Sequence, residues 1–153
     1  GEANQRLGSR GLLIEEVLVR VHGVAELSMP IAPLREKRAL IHGHCHQKAF
    51  DALASTVDVL KLIPGLQVDV IDSSCCGMAG AFGYEAAHYG ISMKMAELSL
   101  LPVVRDADQD TLIVADGTSC RHQIADGTRD TGARHATHAV RVLARALAKS
   151  TEN

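Results

Sequence analysis

The four cysteines of the chain lie in three short segments that hold further donors for soft metal ions. These segments read His42-Gly43-His44-Cys45-His46, Ser73-Ser74-Cys75-Cys76-Gly77 and Thr118-Ser119-Cys120-Arg121-His122. Soft metal ions and metal clusters need several such donors, which must converge from separate parts of a chain. The residue types therefore predict a site made of sulfur and imidazole.

A glycine-rich loop follows the paired cysteines, with glycines at positions 77, 80 and 83. Glycine lets the backbone approach a ligand closely, so backbone N–H groups can stabilise negative charge on sulfur. Gly77 is therefore a candidate cofactor-binding residue. The loop is a poor phosphate loop, because it lacks both the Lys-Ser/Thr pair and the G-x-G-x-x-G spacing.

Three strand-like segments alternate with helix-like segments along the chain. The predicted strands are 38–43, 67–72 and 111–116, and the predicted helices after them are 47–62, 85–100 and 133–149. A further helix is predicted over 10–22, where Leu13, Val17 and Val21 recur every four residues. This alternation implies right-handed βαβ crossovers. We predict an α/β, three-layer sandwich whose short parallel sheet is built from three βα units.

Each cysteine segment directly follows one predicted strand. Loops that leave the carboxyl ends of parallel strands lie at one edge, where open α/β sheets bind ligands. Cys45, Cys75, Cys76 and Cys120 are therefore expected to converge there as metal ligands.

The imidazoles divide into two groups. His46 and His122 are expected to be further ligands or to orient the ligands, with His44 as another candidate. The other histidines are expected to be structural or to lie on helix surfaces: His22, His42, His88, His135 and His138.

Three other interpretations of the cysteines stay open. They could be small buried apolar residues, or Cys75 and Cys76 could form a vicinal disulfide. Cys45 or Cys120 could also be a catalytic nucleophile, with His46 or His122 as its base.

Length and charge limit the class of protein. The 153 residues suit one domain, predicted over 10–149, with a disordered stump or linker over 1–9 and a tail over 150–153. A net charge of −2 argues against nucleic acid as a partner. No transmembrane segment or secretory signal is recognisable, which favours the cytoplasm and leaves room for peripheral association with the inner face of the membrane.

The order of the cysteines resembles that of the cysteine-rich CCG domain, with Cys45 first, then Cys75-Cys76-Gly77, then Cys120. That domain occurs in heterodisulfide reductase, in the iron–sulfur subunits of glycolate oxidase and anaerobic glycerol-3-phosphate dehydrogenase, and in lactate-utilisation proteins. The strings HGHCHQKA, SSCCGMAGAFGYE and ADGTSCRHQI look closer still to the C-terminal end of large FAD-linked oxidases that act on D-2-hydroxy acids. The similarity runs from about Arg10 to Lys149.

The resemblance implies a non-catalytic module of an oxidoreductase that relays electrons through an iron–sulfur cluster. The electrons would come from flavin-dependent oxidation of a 2-hydroxy acid, with FAD on a separate domain or subunit and a ferredoxin-like segment as a further partner. The family pattern usually ends in CxxC, whereas Gln123 stands at its last position here. Four cysteines still suffice for a [4Fe–4S] cluster. Alternatively, three cysteines and one of the nearby histidines would suit zinc in a structural or interaction domain. Such a domain could also be metal-free.

Overall fold

A short parallel sheet of four strands forms the centre of the computed structural model, which describes residues 11–23 and 29–148. The strands are β1 (Arg38–Ile41), β2 (Gln67–Val70), β3 (Leu112–Val114) and β4 (Ala136–Thr137). Their order across the sheet is β2-β1-β3-β4, and every neighbouring pair is parallel. The predicted parallel sheet is confirmed, with a fourth strand of two residues added to the three predicted ones.

Helices cover both faces of this sheet. In chain order they are α1 (Ile14–Gly23), α2 (Cys45–Ala49), α3 (Leu53–Lys61), α4 (Ala86–Glu97), α5 (Leu100–Asp106), α6 (Thr118–Gly127) and α7 (Ala139–Ala148). Short 3-10 helices lie at Phe82–Tyr84 and Arg129–Thr131. No helix within the described ranges is both long enough and apolar enough to cross a bilayer.

Two separate hydrophobic cores result from the alternation of side chains along the strands. Ala39 and Ile41 of β1 pack into one core with residues of α3 and α7. Leu40, between them in sequence, packs into the other core with residues of α5 and α6. Successive strand residues point to opposite faces, so one strand serves both cores. This arrangement confirms the three-layer α/β sandwich.

Several predicted boundaries change in the structure. The predicted helix 47–62 is two helices, broken near Asp51, whose φ of +53° is left-handed. The segment predicted as helix over 133–149 contains β4 before α7 begins at Ala139. Helix α6, which starts four residues after β3, was not predicted. The stump over 1–9 and the tail over 150–153 lie outside the described residues.

The strand order creates a switch point at the carboxyl edge. From β1 the chain passes to β2 on one side, and it then crosses to β3 on the other side of β1. The loops after β1 and β3 therefore diverge, and such a switch point is where open α/β sheets bind ligands.

Candidate metal centre at the carboxyl edge of the sheet

The four cysteines are positioned by loops and helix starts at this edge. Cys45 is the first residue of α2, Cys75 and Cys76 lie in the loop after β2, and Cys120 lies in the first turn of α6. Cys76 and Cys120 are buried, Cys75 is half-buried and Cys45 is exposed. All four are free thiols, and no disulfide joins Cys75 to Cys76.

The two buried cysteines form the centre of the cluster. The Sγ atoms of Cys120 and Cys76 are 3.2 Å apart, and the Cys120 thiol donates to the Cys76 sulfur. Cys45 lies at the outer side of the cluster, where its thiol hydrogen-bonds to Cys75. The sequence prediction that these cysteines share one edge of the sheet agrees with this placement.

His42 lies beside the two buried cysteines and offers a further metal-binding nitrogen, whereas the sequence predicts only a structural role for it. Its side chain is fully buried, and the donor atoms of His42, Cys76 and Cys120 all lie within 4.8 Å of one another. Its Nδ1 hydrogen-bonds to Ser73 Oγ at 2.8 Å. Its Nε2 is buried without a hydrogen-bond partner among the described residues. The period-two alternation of β1 was the available signal, because His42 follows Leu40 by two residues on the face that holds Cys76.

The protonation of the central pair favours one thiolate. The pKa of Cys76 is lowered, to about 4, mainly because the Cys120 thiol donates to its sulfur, with the His42 ring and the Met78 backbone N–H contributing. The pKa of Cys120 is raised well above its ordinary value by the same hydrogen bond and by burial. This hydrogen bond therefore favours one proton in the pair with the negative charge on Cys76, and a thiolate is the form that binds metals.

The pKa of Cys45 is also raised, by burial and by its hydrogen bond to Cys75. A catalytic cysteine needs the opposite shift, because the thiolate is the nucleophile. The interpretation of Cys45 or Cys120 as a nucleophile stays a prediction that this shift does not support.

Position 77 requires glycine, because the loop packs closely against α4 and α6 there. Its φ is +90°, and a Cβ there would lie 2.1 Å from the backbone oxygen of Ser92. The Gly77 N–H donates to Cys75 Sγ at 3.3 Å. Gly117, before α6, also lies against the cluster, since a Cβ there would be 3.0 Å from Cys120 Sγ. Glycines thus let the backbone reach the sulfur atoms from two sides.

Lys48 fixes the loop after β2 against α2. Its Nζ donates to the backbone oxygens of Ser73 and of Ser74, the latter at 3.1 Å. Because Lys48 follows Cys45 by one helical turn, it links the segment of Cys45 to the segment of Cys75.

The predicted imidazole donors lie farther out. His122 is on α6, where its Nδ1 hydrogen-bonds to the Tyr84 hydroxyl at 2.6 Å. His46 is exposed on α2 and stacks on Phe50, with ring centroids 6.4 Å apart. Neither belongs to the group of His42, Cys76 and Cys120. Their role as ligands stays a prediction.

Gln123, which departs from the family pattern, has a structural function of its own. It is buried, and its Nε2 donates to both the backbone oxygen and the Oγ of Ser92, each at 3.0 Å. These bonds tie α6 to α4 directly beneath Gly77.

We expect Gln123→Met to lower the free energy of unfolding by about 1–3 kcal/mol, because it removes the buried amide that donates to Ser92 Oγ and to the Ser92 backbone oxygen at nearly constant volume. Urea denaturation followed by circular dichroism measures this. Gln109→Met, at an exposed position, is the matched control and should change stability little. Equal losses in both variants would contradict the assignment.

The residues fit a metal ion or cluster that prefers soft donors. The sulfur atoms of Cys76 and Cys120 and an imidazole nitrogen of His42 lie within 4.8 Å of one another, and two further thiols lie beside them. Thiolate and imidazole suit zinc, and thiolates hold iron–sulfur clusters.

The chain is similar to parts of two dehydrogenases. It is 32% identical over 123 residues to one subunit of the anaerobic glycerol-3-phosphate dehydrogenase of Escherichia coli (strain K12), a match that covers 79% of this chain and 29% of that protein. The corresponding protein of Escherichia coli O157:H7 gives the same values. D-2-hydroxyglutarate dehydrogenase of Escherichia coli (strain K12) is 28% identical over 114 residues, covering 74% of this chain and 11% of that protein.

The chain spans less than a third of the length of these curated relatives. No family model and no solved structure matches it. The relatives' names confirm the predicted likeness to oxidoreductases. The assignment to a cysteine-rich CCG domain stays a prediction.

Proposed function

We propose that this chain is a CCG-type electron-transfer domain of an oxidoreductase, which holds a [4Fe–4S] cluster through Cys45, Cys75, Cys76 and Cys120. The observation that carries the proposal is the convergence of these thiols, from three separate segments, at the switch point of the sheet. A cluster bound there would supply one-electron transfer.

The chain's own groups would hold and tune such a cluster. The N–H groups of Gly77 and Met78 donate to the sulfurs of Cys75 and Cys76, and such bonds stabilise negative charge. The Lys48 ammonium lowers the cost of a thiolate at Cys45. Cys45 is exposed, so the site would be reachable from the protein surface.

The proposed partners follow from the relatives. A flavin-binding domain or subunit would oxidise a 2-hydroxy acid and pass electrons to this domain, with a ferredoxin-like segment in the same relay. One of the relatives, D-2-hydroxyglutarate dehydrogenase, is named for such a substrate.

A zinc-bearing structural or docking domain is the second candidate, and the position of His42 favours it. His42, Cys76 and Cys120 already supply three donors, and Cys75 or Cys45 would complete a four-ligand site. In that case the metal would hold the loops together and would carry no electrons.

Metal and acid-labile sulfide content, measured on protein purified without oxygen, tests the proposal. About four iron and four sulfide per chain, with broad visible absorbance, is the expected result. About one zinc without sulfide would support the second candidate instead. Protein that binds neither metal after anaerobic reconstitution would overturn both.

A further inference from the structure

Three side chains with metal-binding donors meet on the face of the sheet that packs against α3 and α7. Glu15 comes from α1, Asp116 follows β3, and His138 lies between β4 and α7. His138 Nδ1 is 3.3 Å from Asp116 Oδ1 and 3.8 Å from Glu15 Oε1. All three donor atoms lie within 4.8 Å of one another.

Glu15 is the member of this group that points to a missing cation. The residue is only 4% exposed, and its Oε1 is buried without a hydrogen-bond partner among the described residues. A buried carboxylate without a partner is costly, so such groups are paired or coordinate metals. This oxygen faces His138 and Asp116.

Asp116 is held in place as an acceptor by three other residues. Its Oδ2 accepts from Gln47 Nε2 at 2.6 Å and from Thr56 Oγ1 at 3.2 Å. Its Oδ1 accepts from the Ala139 backbone N–H at 2.9 Å. Such bonds orient the Asp116 carboxylate and stabilise its negative charge before a metal binds.

His138 Nδ1 is the third donor atom of the group. Its lone pair accepts from the Val140 backbone N–H at 3.2 Å. Two carboxylate oxygens and an imidazole nitrogen therefore converge, and among the described residues no hydrogen-bond donor contacts Glu15 Oε1. Val140 lies in the first turn of α7, where helix N–H groups have no partner within the helix and water can replace the ring nitrogen.

We propose that Glu15, Asp116 and His138 bind a divalent transition-metal ion, such as Mn²⁺, independently of the thiol cluster. Ligand atoms about 2.1 Å from an octahedral metal lie about 3.0 Å apart in neighbouring positions, and the 3.3 Å between His138 Nδ1 and Asp116 Oδ1 is close to this spacing. Two carboxylates and one imidazole suit Mn²⁺ better than thiolates do. This site does not depend on the function proposed for the cysteines.

Titration with Mn²⁺, followed by the electron paramagnetic resonance signal of the free ion, tests the proposal on the full chain. We expect one Mn²⁺ to bind per chain and Glu15→Gln to weaken binding at least tenfold, because it removes one anionic ligand at constant size. Cys76→Ser should leave Mn²⁺ binding unchanged. Glu85→Gln is the matched control, since Glu85 forms an exposed pair with His88 at 3.0 Å.

Thermal unfolding supplies a second readout. Mn²⁺ should raise the Tm of the wild type and of Glu85→Gln, because a ligand that binds only the folded state stabilises it. It should not raise the Tm of Glu15→Gln or of a second variant, His138→Asn. No binding at 1 mM Mn²⁺, equal binding by Glu15→Gln, or loss of binding in Cys76→Ser would each overturn the proposal.

Discussion

Cys76→Ser is expected to lower the iron and sulfide content of anaerobically reconstituted protein at least tenfold. Cys76 is the thiolate of the central pair, and its sulfur lies 3.2 Å from that of Cys120. A serine hydroxyl is a poor ligand for iron, because it is hard and stays protonated at neutral pH. Iron and sulfide analysis, with visible absorbance, measures the loss.

Two further variants are measured beside Cys76→Ser, one as a control and one to distinguish the kinds of metal site. His22→Gln, on the exposed surface of α1, should keep the full metal content. Cys45→Ser separates the proposed cluster from a zinc site that Cys75 completes. A [4Fe–4S] cluster held by four cysteines should be lost, whereas a zinc site built on His42, Cys76, Cys120 and Cys75 should persist. Full iron content in Cys76→Ser would contradict the assigned ligands.

Gly77→Ala is expected to lower the free energy of unfolding by about 2–5 kcal/mol, the sum of left-handed strain and overpacking. The new Cβ would lie 2.1 Å from the Ser92 backbone oxygen and 3.2 Å from Gln123 Nε2. The loop must therefore move away from α4 and α6, and the neighbouring Cys76 must move with it. Urea denaturation measures the stability loss, and metal content should fall in parallel.

Gly80→Ala is a matched control in the same loop. Gly80 also has a left-handed φ, of +68°, but a Cβ there would meet no atom within 4 Å. Its expected cost is only the left-handed strain, about 1–2 kcal/mol. If both variants lost the same stability, the close approach of Gly77 to Ser92 would have no energetic importance.

The sequence predicts the sheet and the edge at which the cysteines meet, because strand–helix alternation and cysteine position are both local patterns. It does not predict α6, whose buried residues are Cys120, Gln123 and Ile124. These positions have the spacing of one helix face, but Gln123 is polar, so the apolar residues alone show no helical period. Cys120 was consequently expected in a loop, whereas it lies in the first turn of a helix.

Donors that depend on tertiary packing were also missed. The alternation along β1 indicates the face on which His42 lies, but its approach to Cys76 and Cys120 depends on segments from later parts of the chain. The group of Glu15, Asp116 and His138 joins residues up to 123 positions apart, and only the folded structure shows that Glu15 Oε1 has no partner. Such sites become visible only when distant segments of the chain are brought together in space.

The position of β1 between β2 and β3 has a consequence for biosynthesis. Chains emerge from the ribosome with the N-terminal part first, and the donors from His42 to Cys120 are spread over the middle half of this chain. Cys45, Cys75 and Cys76 are exposed to the cell before β3 and α6 exist to complete the pocket. Closing so long a loop is slow compared with forming local helices. Assembly of the centre therefore cannot be completed until β3 and α6 have been synthesised, and the thiols of Cys45, Cys75 and Cys76 stay accessible to oxidants until Cys120 joins them.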